Sequence, residues 1–197
     1  MNDLSEANIH FFKDSLRKHA SVTDESFERL LELCRVRRPA KGDYLLQIGE
    51  TARHMYFVCD GILTSLFINA EGNQHIKNFF VKGQMAASTV SALFSKPSAF
   101  AIQCAESAVI LEMNMAEYKS LIMERDDLKN FYISYIEHSW ILINEQRQIS
   151  FATETATDRY RTFLQQYPDL EERVPQHQIA SYLGITPTQL SRIRKDL

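Results

Sequence analysis

Cysteine is scarce in this sequence and odd in number: Cys34, Cys59 and Cys104 are the 3 present, and no two stand in a CxxC pair. That argues against a disulfide framework and against a thiolate metal cluster, and suits a reducing, cytoplasmic setting. No apolar run approaches the roughly 18 residues that a membrane span needs. The best uncharged stretch, Gly83 to Ser95, is shorter and carries Gln, Ser and Thr. Charged residues at Glu6, Lys13, Asp14, Arg17 and Lys18 interrupt the amino-terminal apolar positions, so no signal-peptide core is expected. Excess positive charge is also missing. With 22 Lys plus Arg against 25 Asp plus Glu the net charge is -3, and any attraction to a polyanion must be local.

Glycine numbers only 6 in 197 residues, so its placement is informative. Gly42, Gly49, Gly61, Gly72 and Gly83 stand 7, 12, 11 and 11 residues apart and separate short runs of alternating character: Tyr44, Leu46, Ile48; Tyr56, Val58; Leu63, Ser65, Phe67; Ile76, Asn78, Phe80. After these come Ile102, Cys104 and Val109, Leu111. Such spacing predicts a compact antiparallel β-roll from Arg35 to about Leu111. Before it, Leu4 to Lys18 and Asp24 to Cys34 have helical periodicity behind the caps Asp3 and Thr23.

Beyond Met113 the pattern is helical. One short helix is expected over 116–124, and 126–150 lacks both Gly and Pro. There Leu128, Tyr132, Tyr135, Ser139, Leu142, Gln146 and Ile149 follow the spacing of a coiled-coil seam, with a second stripe at Ile133, Ile136, Trp140 and Ile143 beside it. A helix with two apolar faces needs two covers. Either one face packs on the roll and the other on a second subunit, or both are buried within one chain. Thr155 to Asp158 reads as a capping box that opens a further helix, which Pro168 stops.

The most specific pattern lies in the last 23 residues, Pro175 to Leu197. Ala180 is small where two helices would touch, Gly184 supplies a tight turn, and Ile179, Leu183, Ile185, Leu190 and Ile193 point into the angle. Thr186 followed by Pro187 forms an N-cap and first-turn pair. This is a helix-turn-helix pattern, whose bland alternative is an ordinary helical hairpin. Its second helix would present Thr188, Gln189, Ser191, Arg192, Arg194 and Lys195, with Thr186 at its start. Gln189 and Arg192 are candidates for base edges, Thr188 and Ser191 for bases or phosphates, and Arg194 and Lys195 for phosphates. Arg192, Arg194 and Lys195 against Asp196 reverse locally the sign of the whole chain.

In this order of parts the chain resembles the Crp/Fnr family of bacterial transcription regulators over nearly its full length. The resemblance is most specific at Ile179-Ala180-Ser181-Tyr182-Leu183-Gly184-Ile185-Thr186 and at Leu190-Ser191-Arg192-Ile193-Arg194-Lys195. It implies an α+β fold with a jelly-roll-like sensor roll, similar to cyclic-nucleotide-binding domains, over 1–125. A long dimerisation helix over 126–151 and a carboxy-terminal winged helix-turn-helix over 152–197 would follow. It further implies a homodimer on a twofold-related DNA operator, with RNA polymerase as a further partner and no membrane.

Departures from the family pattern limit what carries over. Cyclic-AMP-responsive members hold the ribose with a Gly-Glu pair and the cyclic phosphate with an Arg-Ser pair. Here Ala87 and Ser88 stand at the first pair and Pro97 at the arginine, leaving only Ser98. No cofactor is expected, and cyclic AMP is disfavoured. Met85, Ser88, Thr89 and Ser98, with Asn144 and Glu145 where the family places ligand contacts, are candidates for another effector's pocket, unless side chains have filled it. The amino-terminal cysteine clusters of iron-sulfur members are missing, and His138 is a lone helical histidine. Two rival classes remain. A cupin-like metal enzyme would need clustered imidazoles, whereas His54 and His75 are isolated, and no nucleophile triad or phosphate loop is visible, so neither catalytic nor metal residues are expected. A ligand-sensing interaction protein without DNA binding is the other.

Overall fold

The computed structural model describes residues 5–69 and 71–197. The expected cap Asp3 and helix start Leu4 lie outside them. The first helix, α1 (Glu6–Arg17), is capped by Ser5, whose side chain accepts from Asn8 N, and α2 (Asp24–Glu32) is capped by Thr23 as the sequence predicts. Then come β1 (Arg35–Arg37), β2 (Tyr44–Leu46), β3 (His54–Asp60), β4 (Leu63–Ile68), β5 (Gln74–Phe80), β6 (Met85–Ala86), α3 (Thr89–Phe94), β7 (Ala101–Cys104) and β8 (Val109–Asn114). The strands form two four-stranded antiparallel sheets, ordered β1-β8-β3-β6 and β2-β7-β4-β5. Gly61 makes the turn from β3 to β4 at φ 87°, and a Cβ there would lie 2.5 Å from Ser107 O, so the turn has no room for a side chain.

Alternation along the strands divides burial into three cores. Between the sheets lie Leu46, Tyr56, Val58, Leu63, Ile102, Cys104 and Ile110. The next residues along β3 and β8, Met55, Phe57, Cys59, Leu111 and Met113, point the other way and pack under α1, α2 and the helices after the roll. Phe57 meets Phe12 at a ring separation of 4.6 Å. The second sheet is also covered on its outer face: Ile62, Leu66, Ile76, Phe79, Ala101 and Ala105 share a core with the carboxy-terminal helices. All three cysteines are buried, and burial pushes the Cys34 thiol up to about 12, which suits small hydrophobes rather than nucleophiles.

After the roll, α4 (Met115–Glu124) leads into one long helical path made of α5 (Asp126–Ile136), a π-helical turn (Glu137–Ile141) and α6 (Leu142–Thr153). Leu128, with Phe131, Tyr132 and Tyr135, packs on the roll core, and the Tyr135 hydroxyl accepts from Met85 N at 3.2 Å. The π-turn inserts a residue and shifts the helical phase, so the expected continuous seam is broken. Leu142 and Ile149, in that seam, are exposed, as are Ile133 and Trp140 of the second stripe, at 54% and 51%. Phe131, absent from both expected stripes, is almost fully buried.

The chain ends in α7 (Ala156–Gln166), α8 (Leu170–Arg173), α9 (Gln176–Leu183) and α10 (Pro187–Lys195). Thr155 caps α7 by accepting from Asp158 N. Among the described residues no strand flanks α9 and α10; the short helix α8 occupies the connection before α9. α8 contributes Leu170 to the core that covers the second sheet.

Asp127 joins the amino-terminal helices to the long one. Its carboxylate accepts from Thr23 N (2.9 Å), Thr23 Oγ1 (2.8 Å), Ser26 Oγ (2.8 Å) and Leu128 N (2.9 Å). Burial alone would raise its pKa, but these bonds outweigh that effect and hold it below the ordinary carboxylate value. Its stabilisation is therefore present above the unfolded value near 3.9 and lost as pH falls through the lower folded value. Asp127→Ala is expected to cost about 1 kcal/mol at pH 7, with the gap to wild type closing below about pH 4 in denaturant titrations.

Candidate nucleic-acid interface

α9 and α10 meet through Gly184, which adopts φ 70°, the left-handed conformation that a helix stop favours. A Cβ on Gly184 would fall 2.8 Å from the Phe151 ring of α6, so the turn is constrained by its neighbour as well as by its own backbone. Ala180 is completely buried at the crossing, with Ile179, Leu183 and Leu190 around it, and Ile185 and Ile193 half-buried beside them. Thr186 and Gln189 complete a capping box. The Thr186 side chain accepts from Gln189 N (3.2 Å), and Gln189 Oε1 accepts from Thr186 N (3.0 Å).

This box changes the part that Gln189 plays. Bidentate pairing with adenine needs both the acceptor and the donor of the amide, and here the acceptor is spent inside the helix cap. Arg194 is also engaged. Its Nε lies 2.6 Å from Glu171 Oε1, the same oxygen that accepts from Tyr160 Oη at 2.5 Å. Burial, followed by this bond to Glu171, pushes the Tyr160 phenol up to about 12. Arg194 thus ties α10 to α8 through its Nε. Gln189 and Arg194 stay exposed, and Thr188, Arg192 and Lys195, at steps of 4 and 3, share one exposed face with half-buried Ser191 at its border. Among the described residues, Arg192 and Lys195 enter no ion pair.

The unit is held to the roll at defined points. Ser181 Oγ accepts from Ile76 N of β5 at 2.9 Å, and Phe79 packs on Phe163, Tyr167 and Tyr182. Arg173 makes a two-point pair with Glu106 (3.0 and 2.9 Å). Arg159 Nε donates to Leu183 O at 3.2 Å and its Nη1 to Glu154 O at 2.8 Å. Neither Arg159 nor Arg147, which contacts the same region, was identified from the sequence. Both lie in polar-looking helix stretches, and only their backbone partners, remote in sequence, reveal their part.

Of the candidate effector residues, Met85, Ser88, Thr89 and Ser98 come from one corner of the roll. Ser88 and Ser98 are buried and bonded Oγ to Oγ at 2.8 Å, and Ser98 Oγ also donates to Phe100 O at 2.7 Å. Asn144 Nδ2 donates back to Trp140 O of its own helix at 2.5 Å, and Glu145 is exposed. A cleft of about 600 Å³ lies between α6, α7 and α9, and none of the six candidates lines it. Among the described residues no group of three His, Cys, Asp or Glu comes together to hold a metal ion, and no helix is long and apolar enough to cross a membrane.

Residues 36–125 match the family model of the cyclic nucleotide-binding domain. No curated protein matches the chain. Solved structures do: FixK2 from Bradyrhizobium japonicum at 18% identity and TM-score 0.70, covering 83% of this chain and 84% of that one. The c-di-GMP responsive global regulator CLP of Xanthomonas campestris matches at 17% identity and TM-score 0.67, over 88% of this chain and 91% of that one. The Thermus thermophilus catabolite activator protein matches at 16% identity and TM-score 0.56, over 93% and 86%. Residues 36–125 are therefore similar to a cyclic nucleotide-binding domain, and the chain shares the overall fold of these solved structures.

Proposed function

We propose that this protein is a cytoplasmic, sequence-specific DNA-binding transcriptional regulator that acts as a homodimer. The observation that carries the reading is the exposed Thr188, Arg192 and Lys195 face of α10, on a helix whose opposite side is anchored by Leu190 and whose start is fixed by the Thr186–Gln189 box. A helix held in this way presents its side chains to base edges in the major groove. Arg192 is the candidate for a guanine, Lys195 for a phosphate, and Thr188 and Ser191 for either; RNA polymerase is the further partner.

The apolar stripe of Ile133, Trp140, Ile141 and Ile149 on the long helix supports the dimer, because a second copy of the same stripe would cover it and place two readers on related half-sites. Regulation by cyclic AMP is not part of the proposal. Pro97 stands where a guanidinium would meet the cyclic phosphate, a charge-assisted contact of about 1.5–3 kcal/mol, and Ser88 is committed to Ser98. Another small effector is left open by this reading.

Selection of bound sequences from random duplexes tests the core of the proposal, with a twofold-related consensus as the expected result; failure to enrich any sequence would overturn it. On that consensus, Arg192→Ala is expected to cost about 1–3 kcal/mol and relax one base position, whereas Lys195→Ala lowers affinity across sequences and reduces the salt slope by about 1. Trp140→Asp should convert the dimer to a monomer in analytical ultracentrifugation; an unchanged dimer removes the long helix from the interface. Calorimetry with cyclic AMP is expected to show binding no tighter than about 1 mM, and a micromolar constant would contradict the reading of Pro97 and Ser88.

A further inference from the structure

Arg147 stands on α6 where the long helix, the roll and the helix-turn-helix meet. Its Nη1 donates to Lys77 O and to Asn78 Oδ1 (2.9 Å), both on β5, and its Nη2 donates to Tyr182 O (3.3 Å) at the end of α9. The guanidinium carbon lies 4.2 Å from the centre of the Tyr182 ring and 5.5 Å from that of Phe151. Burial, then the charge of Arg147, lowers the pKa of the neighbouring Lys77, whose ammonium rests 4.2 Å over Phe100. A second cation is thus kept close to Arg147 in spite of repulsion. Only a planar fork of several donors can reach three acceptors on two elements and stack on an aromatic ring at once, which an ammonium cannot do.

The clamp acts across an elbow. Between α6 and α7 only Glu154 and Thr155 are non-helical, both extended, at ψ 152° and 160°. Rotation about those two residues would swing α7 to α10 relative to the long helix, and Arg147 bonds to both sides of that swing. We infer that Arg147 is a positioning residue that fixes the angle of the reader helix to the long helix, and through it the half-site spacing that a dimer accepts. This rests on the DNA-binding reading above. Lengthening an operator by one base pair displaces a half-site by about 3.4 Å and turns it by about 35°. Arg147 is one tie among several, beside Ser181–Ile76 and Arg173–Glu106, but it is the one that joins α6 itself to α9, so its loss loosens the pivot at Glu154 and Thr155 without freeing the unit from the roll.

The test uses the full chain and duplexes that carry its selected half-sites at the preferred spacing and at spacings one base pair longer or shorter. Wild type is expected to prefer its own spacing by about tenfold or more, and Arg147→Met to reduce that preference to about threefold or less, while half-site sequence preference and dimerisation persist. Arg147→Lys keeps the charge without the fork and is expected to restore little of the preference. Asn78→Ala removes one roll acceptor without touching the reader; it should shift the preference in the same direction, and it replaces Arg147→Met if that variant does not fold. A uniform loss of affinity at all spacings, or an unaltered preference, overturns the inference and leaves the DNA-binding reading standing. If wild type binds none of the duplexes, both fall together.

Discussion

Each strand of the roll has two faces, and in this protein both are apolar over most of the central strands. The sheet of β2, β7, β4 and β5 turns Leu63, Ile102 and Cys104 inward, and Ile62, Leu66, Ile76 and Phe79 outward. Full burial of a side chain such as Phe79 or Ile76 is worth about 1.5–3 kcal/mol, so that outer face cannot be left in water. The carboxy-terminal helices cover it, through Tyr160, Phe163, Tyr167, Leu170 and Ile179. The carboxy-terminal unit therefore shares a core with the roll and is more than a tethered appendage, and its placement follows from the need to bury one side of a sheet.

Polar contacts around that shared core then select one orientation. Hydrophobic burial is non-directional, while the bonds from Ile76 N to Ser181, from Arg147 to β5 and α9, and between Arg173 and Glu106 are specific in geometry. Glu171 does the same within the carboxy-terminal helices by receiving both Tyr160 and Arg194. Cations that a charge count assigns to DNA are thereby divided: Arg194 holds the unit together, while Arg192 and Lys195 stay on its surface.

Sequence periodicity read the roll, its glycine turns and the helix-turn-helix well, because local conformation dictates all three: Gly184 in a left-handed turn, Thr186 before Pro187, alternation along β3 and β4. It read the long helix only in part. The coiled-coil spacing from Leu128 to Ile149 assumes a constant phase, which the π-turn at Glu137–Ile141 breaks, so Leu142 and Ile149 leave the line of Leu128 and Tyr135. The roles of Gln189, Asn144 and Ser98 were illegible for a different reason: a side chain's hydrogen-bond partner is a matter of which groups it meets after folding.

What this sequence determined by itself is its elements and their order, because backbone propensity and side-chain chemistry are local properties. Tertiary structure alone decided that the second sheet would be roofed by the carboxy-terminal helices, that Ser88 and Ser98 would satisfy each other, and that Arg147 would join three parts of the fold. Those outcomes depend on contacts between residues as far apart as Asn78 and Arg147, or Ile76 and Ser181, and no periodicity encodes a contact at that separation.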